Sequence, residues 1–265
     1  MPSSAPVYAI ANQKGGVGKS ATVLGLAAAV SHSGGRALLV DLDPQANITT
    51  GLGVEIDDDT PTMSDLLADL TEGAALDVRI STSWPGIDLL PAELALATRD
   101  TDGAADMPYR LRAAFEGVDL SEYDVVLIDC PPSLGRLLLN GLYFADGMIL
   151  ATEAMVDSVR GIENIVETSK FVQKQVNPKL NIKAIVITRR EKTGEQDFRE
   201  EELRDAYGNL SDGGLVARTV TPKRAAWGDA HGTGQSVFTL RGDGALALQV
   251  AFTDLARELD LVAAK

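Results

Sequence analysis

One cysteine and two histidines in 265 residues leave little room for thiol or metal-cluster chemistry. Cys130 has no partner for an internal disulfide, and neither a cysteine-pair metal site nor a histidine-rich centre can be assembled. Basic charge is also short. Lys and Arg number 24 against 38 Asp and Glu, a formal net charge of -14. That deficit excludes a chain that grips nucleic acid over its whole surface, because phosphate contacts dominate such affinity; a local basic patch stays open. No run approaches the ~20 apolar residues of a membrane span. The first residues, Met1-Pro2-Ser3-Ser4-Ala5-Pro6, lack the basic region and apolar core of a secretory signal. These absences read as a cytoplasmic protein with no membrane partner and a flexible stretch over 1–6. No internal repeat or low-complexity linker divides the chain, and 45% apolar content supports a sizeable core. A single domain over 1–265 is long but allowed for an α/β fold.

What is present is concentrated near the start. Val7-Tyr8-Ala9-Ile10-Ala11 reads as a short apolar strand. Asn12-Gln13-Lys14-Gly15-Gly16-Val17-Gly18-Lys19-Ser20 follows, a glycine-rich turn opening a helix over about 18–31. Gly15, Gly16 and Gly18 expose backbone N–H groups around a concavity with no Cβ in the way. The helix end directs its uncapped N–H groups and positive dipole into the same space. Lys19 adds a charge and the Ser20 hydroxyl a ligand for Mg²⁺, the outline of a nucleoside-triphosphate site. The general pattern G-x-x-x-x-G-K-[ST] is not met, since its first glycine falls on Gln13; a second lysine, Lys14, precedes the glycines instead.

Two further apolar runs end in acids. Ala37–Asp41 continues into Leu42-Asp43-Pro44-Gln45-Ala46-Asn47, and Tyr123–Asp129 into Cys130-Pro131-Pro132-Ser133-Leu134-Gly135. Buried parallel strands whose carboxyl ends enter a site read this way, and Asp129 suits a magnesium-holding position. Cys130 reads as a small buried hydrophobe beside it. Strands are also expected at 87–91, 147–152, 182–188 and 216–222, and helices at 63–70, 93–99, 109–115, 158–175, 195–204, 225–231 and 245–261. The alternation predicts one doubly wound, mainly parallel twisted sheet with helices on both faces.

Lys14–Ser20, Asp41–Asn47 and Asp129–Gly135 together resemble the ParA/MinD/nitrogenase-iron-protein group of ATPases, whose deviant Walker A motif carries the early lysine; the fold implied is a deviant P-loop NTPase. The resemblance runs from Val7 to about Glu258. It implies ATP and Mg²⁺ as cofactors. Lys14, Gly15, Gly16, Val17, Gly18, Lys19, Ser20 and Ala21 would hold phosphates, and Pro222 would lie against the adenine. Ser20, Asp41 and Asp129 would serve the metal, with Asp41 supporting its shell. Lys14, Lys19 and Asp43 would be the catalytic set, Asp43 positioning the attacking water and Lys14 reaching across a dimer interface to the partner's nucleotide.

Within the group, one cysteine cannot share a cluster as in the nitrogenase iron protein. The mixed-charge end Leu255–Lys265 is a poor membrane helix of the MinD kind. The ParA branch remains. It implies an ATP-dependent homodimer, a ParB-type adaptor, non-specific DNA binding and nucleoid association in the ATP state, with slow partner-stimulated hydrolysis segregating plasmid or chromosomal DNA. Candidates for DNA contact are Arg218, Lys223, Arg224 and Arg241, with a second basic edge at Arg189, Arg190 and Lys192. An alternative is a related ATPase that positions a protein cargo, and a third reading is a small-molecule ligase on a related fold.

Overall fold

The computed structural model describes residues 5–263. Its elements are β1 (Val7–Ala11), α1 (Lys19–His32), β2 (Ala37–Asp41), α2 (Asn47–Gly51), α3 (Met63–Leu66), β3 (Ile80–Ser81) and β4 (Ile87–Leu90). There follow α4 (Ala97–Asp100), α5 (Arg110–Ala114), β5 (Val125–Asp129), α6 (Arg136–Phe144), β6 (Gly147–Glu153) and α7 (Ser158–Gln175). The chain closes with β7 (Asn181–Thr188), α8 (Gly194–Tyr207), α9 (Ala225–Gly232) and α10 (Asp243–Glu258).

Seven strands form one sheet in the order β3-β4-β2-β5-β1-β6-β7. All neighbours are parallel except the short edge strand β3, which runs antiparallel to β4. Every residue of β2 and β5 is buried, as expected of central strands covered on both faces. The pleat then sorts side chains between two cores. Ala9, Leu38, Val40, Val126 and Ile128 point to one face. Ile10, Ala37, Leu39, Val125 and Leu127 point to the other, under α1 and α10. Helix α1 is made of small residues because α10 lies against it. A Cβ on Gly25 would come within 2.1 Å of the Phe252 ring.

Register decides what meets at the carboxyl edge. Asp41 pairs with Asp129 across β2 and β5, and Ile10 pairs with Asp129 across β1 and β5. The glycine loop therefore leaves the sheet beside both acid-tipped strands.

Several expectations need correction. Residues 216–222 do not form a strand. They follow β7 only through isolated bridging pairs, Ile185 with Val216 and Arg190 with Pro222. The ladder breaks because the Glu258 carboxylate takes the N–H groups of Arg218 and Thr219, at 2.6 and 3.0 Å, and Pro222 has none to give. The helix expected over 63–70 begins as expected, with Thr62 and Asp65 forming a capping box at its N-terminus, but ends at Leu66. Part of the flexible stretch expected over 1–6 lies outside the described residues. Ala5 is buried, and the Pro6 carbonyl accepts the Val126 N–H at 2.9 Å. Among the described residues no helix is long and apolar enough to cross a membrane.

Candidate functional site

The glycine loop is shaped from behind by three residues. Asn12 is buried at the end of β1; its Oδ1 accepts the Lys14 N–H at 3.0 Å and its Nδ2 donates to the Ala151 carbonyl at 2.7 Å. The Thr188 hydroxyl, at the end of β7, donates to the Val17 carbonyl at 2.6 Å. Arg189 donates to the Gly16 carbonyl at 2.8 Å and pairs with Glu153 at 3.1 Å. With these carbonyls tied back, the loop N–H groups are left for the cavity. Gly16 and Gly18 take φ of 76° and 84°, a region that side-chain-bearing residues rarely adopt. Gly18 offers no side-chain cap to α1, so the first-turn N–H groups stay available to an anion.

Lys19 is buried and folds over the loop, its Nζ 3.3 Å from the Lys14 carbonyl. Burial pushes its ammonium below the ordinary lysine value, and Asp129 and Asp43 oppose that shift. Lys14 is exposed. The loop borders a cavity of about 800 Å³. Gly15, Gly16, Gly18, Lys19, Ser20, Ala21 and Asp43 line one end of it. Pro222, Lys223 and Arg224 line its flank, and Trp227, His231, Leu248 and Phe252 its apolar part. The Trp227 and Phe252 rings stand 5.8 Å apart.

The three aspartates differ sharply. Asp43 faces the cavity, with one oxygen accepting the Gln45 N–H at 3.0 Å. Asp41 accepts the Asp43 N–H at 3.2 Å, the Thr49 N–H at 3.1 Å and the Thr49 hydroxyl at 2.8 Å. Both its oxygens are engaged, which leaves it as a support for the loop carrying Asp43 and not as a direct ligand. Burial raises its carboxyl to about 7 against these hydrogen bonds. Asp129 is wholly buried, and neither oxygen has a hydrogen-bond partner. Burial first, then the neighbouring Asp41 charge, holds it well above the usual carboxylate range. A buried acid without hydrogen-bond partners is costly, and a cation bound beside it would offset that cost. Among the described residues no group of three or more His, Cys, Asp and Glu side chains could enclose a metal ion. A cation beside Asp129 and Ser20 would therefore draw most of its ligands from a bound anion and water, the pattern Mg²⁺ favours.

Of the residues read from the sequence, the structure brings the glycine loop, Lys19, Ser20, Ala21, Asp43 and Pro222 to one cavity, with Asp41 and Asp129 behind it. Val17 turns its side chain into the core. Cys130 is buried, and burial pushes its thiol up. Lys223 and Arg224 sit on the cavity flank, with Lys223 paired to Glu191 at 3.1 Å. Arg218 and Arg241 are exposed and do not line the cavity. Of the basic edge expected at Arg189, Arg190 and Lys192, Arg189 and Lys192 are exposed, whereas Arg190 is held in ion pairs. Arg189 clasps the glycine loop, and Arg190 pairs with Glu200 at 2.9 Å and with Asp197. Sequence reading missed Asn12, Thr188 and Arg189 as loop-shaping residues. Only Asn12, a short amide between strand and turn, carried a local signal.

Residues 5–182 match a protein family described as an AAA domain. The chain is 34% identical over 256 residues to the chromosome partitioning protein ParA of Caulobacter vibrioides, covering 96% of this chain and 93% of that one. It is 33% identical over 260 residues to the sporulation initiation inhibitor protein Soj of Bacillus subtilis, covering 96% and 97%. A solved structure of cobyrinic acid a,c-diamide synthase from Mycobacterium smegmatis with bound ADP and magnesium is 31% identical, with a TM-score of 0.74 over 97% of this chain and 96% of that one. An ATP complex of McdA from Cyanothece gives a TM-score of 0.83 over 99% of both chains at 21% identity, a likeness of fold.

A mostly parallel sheet with a phosphate loop leaving β1 defines an α/β P-loop nucleoside triphosphatase architecture. The chain belongs to the AAA-domain family matched over 5–182, and to its ParA-type partition ATPases.

Proposed function

We propose that this chain binds ATP and Mg²⁺, dimerises in the ATP state, binds DNA without sequence preference and hydrolyses ATP slowly under stimulation by a ParB-type partner. The observation that carries the nucleotide reading is the unpaired, buried Asp129 beside the loop that holds Lys19 and Ser20. Loop N–H groups and Lys19 would bind the phosphates, and Ala21 would meet them from the first turn of α1. Ser20 would hold the metal directly and Asp129 through water. Bound Mg²⁺ would neutralise charge on the phosphate oxygens. Asp43 would orient the attacking water, the carboxylate role that phosphoryl transfer requires. Pro222 and the apolar wall around Trp227 would take the base.

Dimerisation is supported by the exposed Lys14 and by Leu134, Met155 and Val156, large apolar residues exposed on loops leaving the same sheet edge. An apolar rim of that kind favours a partner surface. In the dimer each Lys14 would meet the other subunit's phosphates. DNA contact is assigned to Lys223 and Arg224, with Arg218 and Arg241 nearby in sequence. The cargo assigned is plasmid or chromosomal DNA, as the names of the ParA relatives suggest.

Sedimentation of wild type and Lys14→Ala, with ATP and with or without DNA, tests the proposal. Wild type dimerises and Lys14→Ala does not; a wild type that stays monomeric with ATP contradicts it. Changing Lys223 and Arg224 to alanine lowers the affinity of the ATP dimer for DNA and flattens its salt dependence. The resemblance to a synthase structure keeps a second reading in the test. Phosphate release that required a small-molecule acceptor would favour a ligase, and stimulation by an adaptor without DNA affinity would favour a protein cargo.

A further inference from the structure

The loop from Cys130 to Gly135 joins Asp129 to α6, and its Pro132 lines the cavity. Helix α6 begins without a cap of its own, because Gly135 has no side chain. Its first turn is capped from elsewhere. Asp100, the last residue of α4, accepts the Leu137 N–H on Oδ1 at 3.0 Å, at the second helical position where N-cap oxygens act. Its other oxygen accepts the Ser133 hydroxyl at 3.3 Å. One carboxylate thus joins the loop, at Ser133, to the first turn of α6, at Leu137, with its charge at the positive end of the helix.

Gly135 gives an independent sign of this packing. Its φ of -93° is open to any residue, so conformation does not call for glycine there. Space does: a Cβ would lie 2.1 Å from Asp100 Oδ1 and 2.3 Å from Oδ2. The rest of α6 is anchored separately. Arg136 donates to the Ala104 carbonyl at 2.7 Å; Asn140 donates to the Met107 carbonyl and accepts the Leu111 N–H, each at 2.9 Å. Loss of Asp100 would free the loop while leaving the helix docked.

We propose that Asp100 is a positioning residue for ATP turnover, which holds the Cys130–Gly135 loop so that Asp129 and Pro132 keep their places at the nucleotide cavity. The proposal rests on the ATPase reading above. Hydrolysis that depends on placement is sensitive to shifts of this kind, whereas binding by the glycine loop and Lys19 is not.

Steady-state ATP hydrolysis and nucleotide binding, measured well below the melting temperature, test it on Asp100→Ala, Asp100→Asn, Gly135→Ala and the Asp100→Ala/Gly135→Ala double variant. Asp100→Ala lowers kcat about tenfold or more with KM for ATP little changed. Asp100→Asn keeps an acceptor oxygen and recovers much of kcat. Gly135→Ala displaces the carboxylate and matches Asp100→Ala. The double variant is no worse than either single change, because both remove one contact. A role confined to folding would lower Tm and leave kcat intact, and that result overturns the proposal. So does a double variant whose losses add. Wild type that neither binds nor hydrolyses ATP overturns the ATPase reading and this proposal together; active wild type with an equally active Asp100→Ala overturns this proposal alone.

Discussion

The ends of β2 and β5 lie side by side, and each ends in a buried aspartate, Asp41 opposite Asp129. Their surroundings differ completely. Asp41 is met by three donors from Asp43 and Thr49, so its carboxylate organises the turn into α2. Asp129 accepts no hydrogen bond of good geometry, although the Ser20 hydroxyl stands beside it. The same residue type at the same depth is thus completed by the fold in one place and left incomplete in the other. Burying a polar group without partners costs folding free energy, and folds retain such groups where a ligand completes them. The contrast teaches that a buried acid is a binding feature only when the chain has withheld its hydrogen bonds.

The comparison can be broken most directly at Asp129. Asp129→Asn lowers Mg²⁺-dependent ATP hydrolysis by about a hundredfold or more, followed by phosphate release. Asp41→Ala leaves three donors unmet and destabilises the chain by about 3 kcal/mol in urea unfolding. The pH dependence sharpens the contrast. A carboxyl raised to about 7 in the folded chain and near 4 in the unfolded one contributes stability that is full below about pH 4 and lost as pH rises through about 7. Urea melts of the nucleotide-free protein at pH 5 and pH 8 therefore show wild type losing more stability than Asp41→Asn over that interval.

Thr49 offers a finer cut. Its hydroxyl donates to Asp41 and accepts the Ala92 N–H at 3.1 Å. Thr49→Val costs about 1–2 kcal/mol, and Thr49→Ser restores most of it. The smallest effect is the most telling. Asp129→Asn stabilises the nucleotide-free chain by about 1 kcal/mol, since a neutral amide is buried without the cost of taking up a proton that the raised carboxyl carries. Loss of stability from that change would mean that Asp129 is part of the scaffold, as Asp41 is.

Much of this site was legible in residue order. Lys14–Ser20 and the two acid-tipped strands stand out because phosphate and metal chemistry demand those residue types at those positions along a strand or turn. Helix α7 was legible end to end, because Ile162, Ile165, Ser169 and Val172 repeat at helical spacing and are buried. Residues 216–222 misled because their alternation is strand-like, whereas Glu258, far along the chain, takes the N–H groups a ladder would need. Arg189 was legible only in part. Next to Arg190 it reads as exposed basic surface, and it is exposed, but its guanidinium also donates to the Gly16 carbonyl from far along the chain.

The sequence by itself determined the family and the mostly parallel sheet that carries the glycine loop and the acid-tipped strands. Local chemistry is written locally: a phosphate loop needs its glycines within one short turn, and a buried strand needs its apolar run unbroken. Only the tertiary structure decided which of two equivalent aspartates is satisfied, which arginine supports the loop, and that Asp100 caps α6 through the space Gly135 leaves. Those outcomes depend on donors and acceptors that folding brings together from distant segments, and no spacing along the chain encodes such distances.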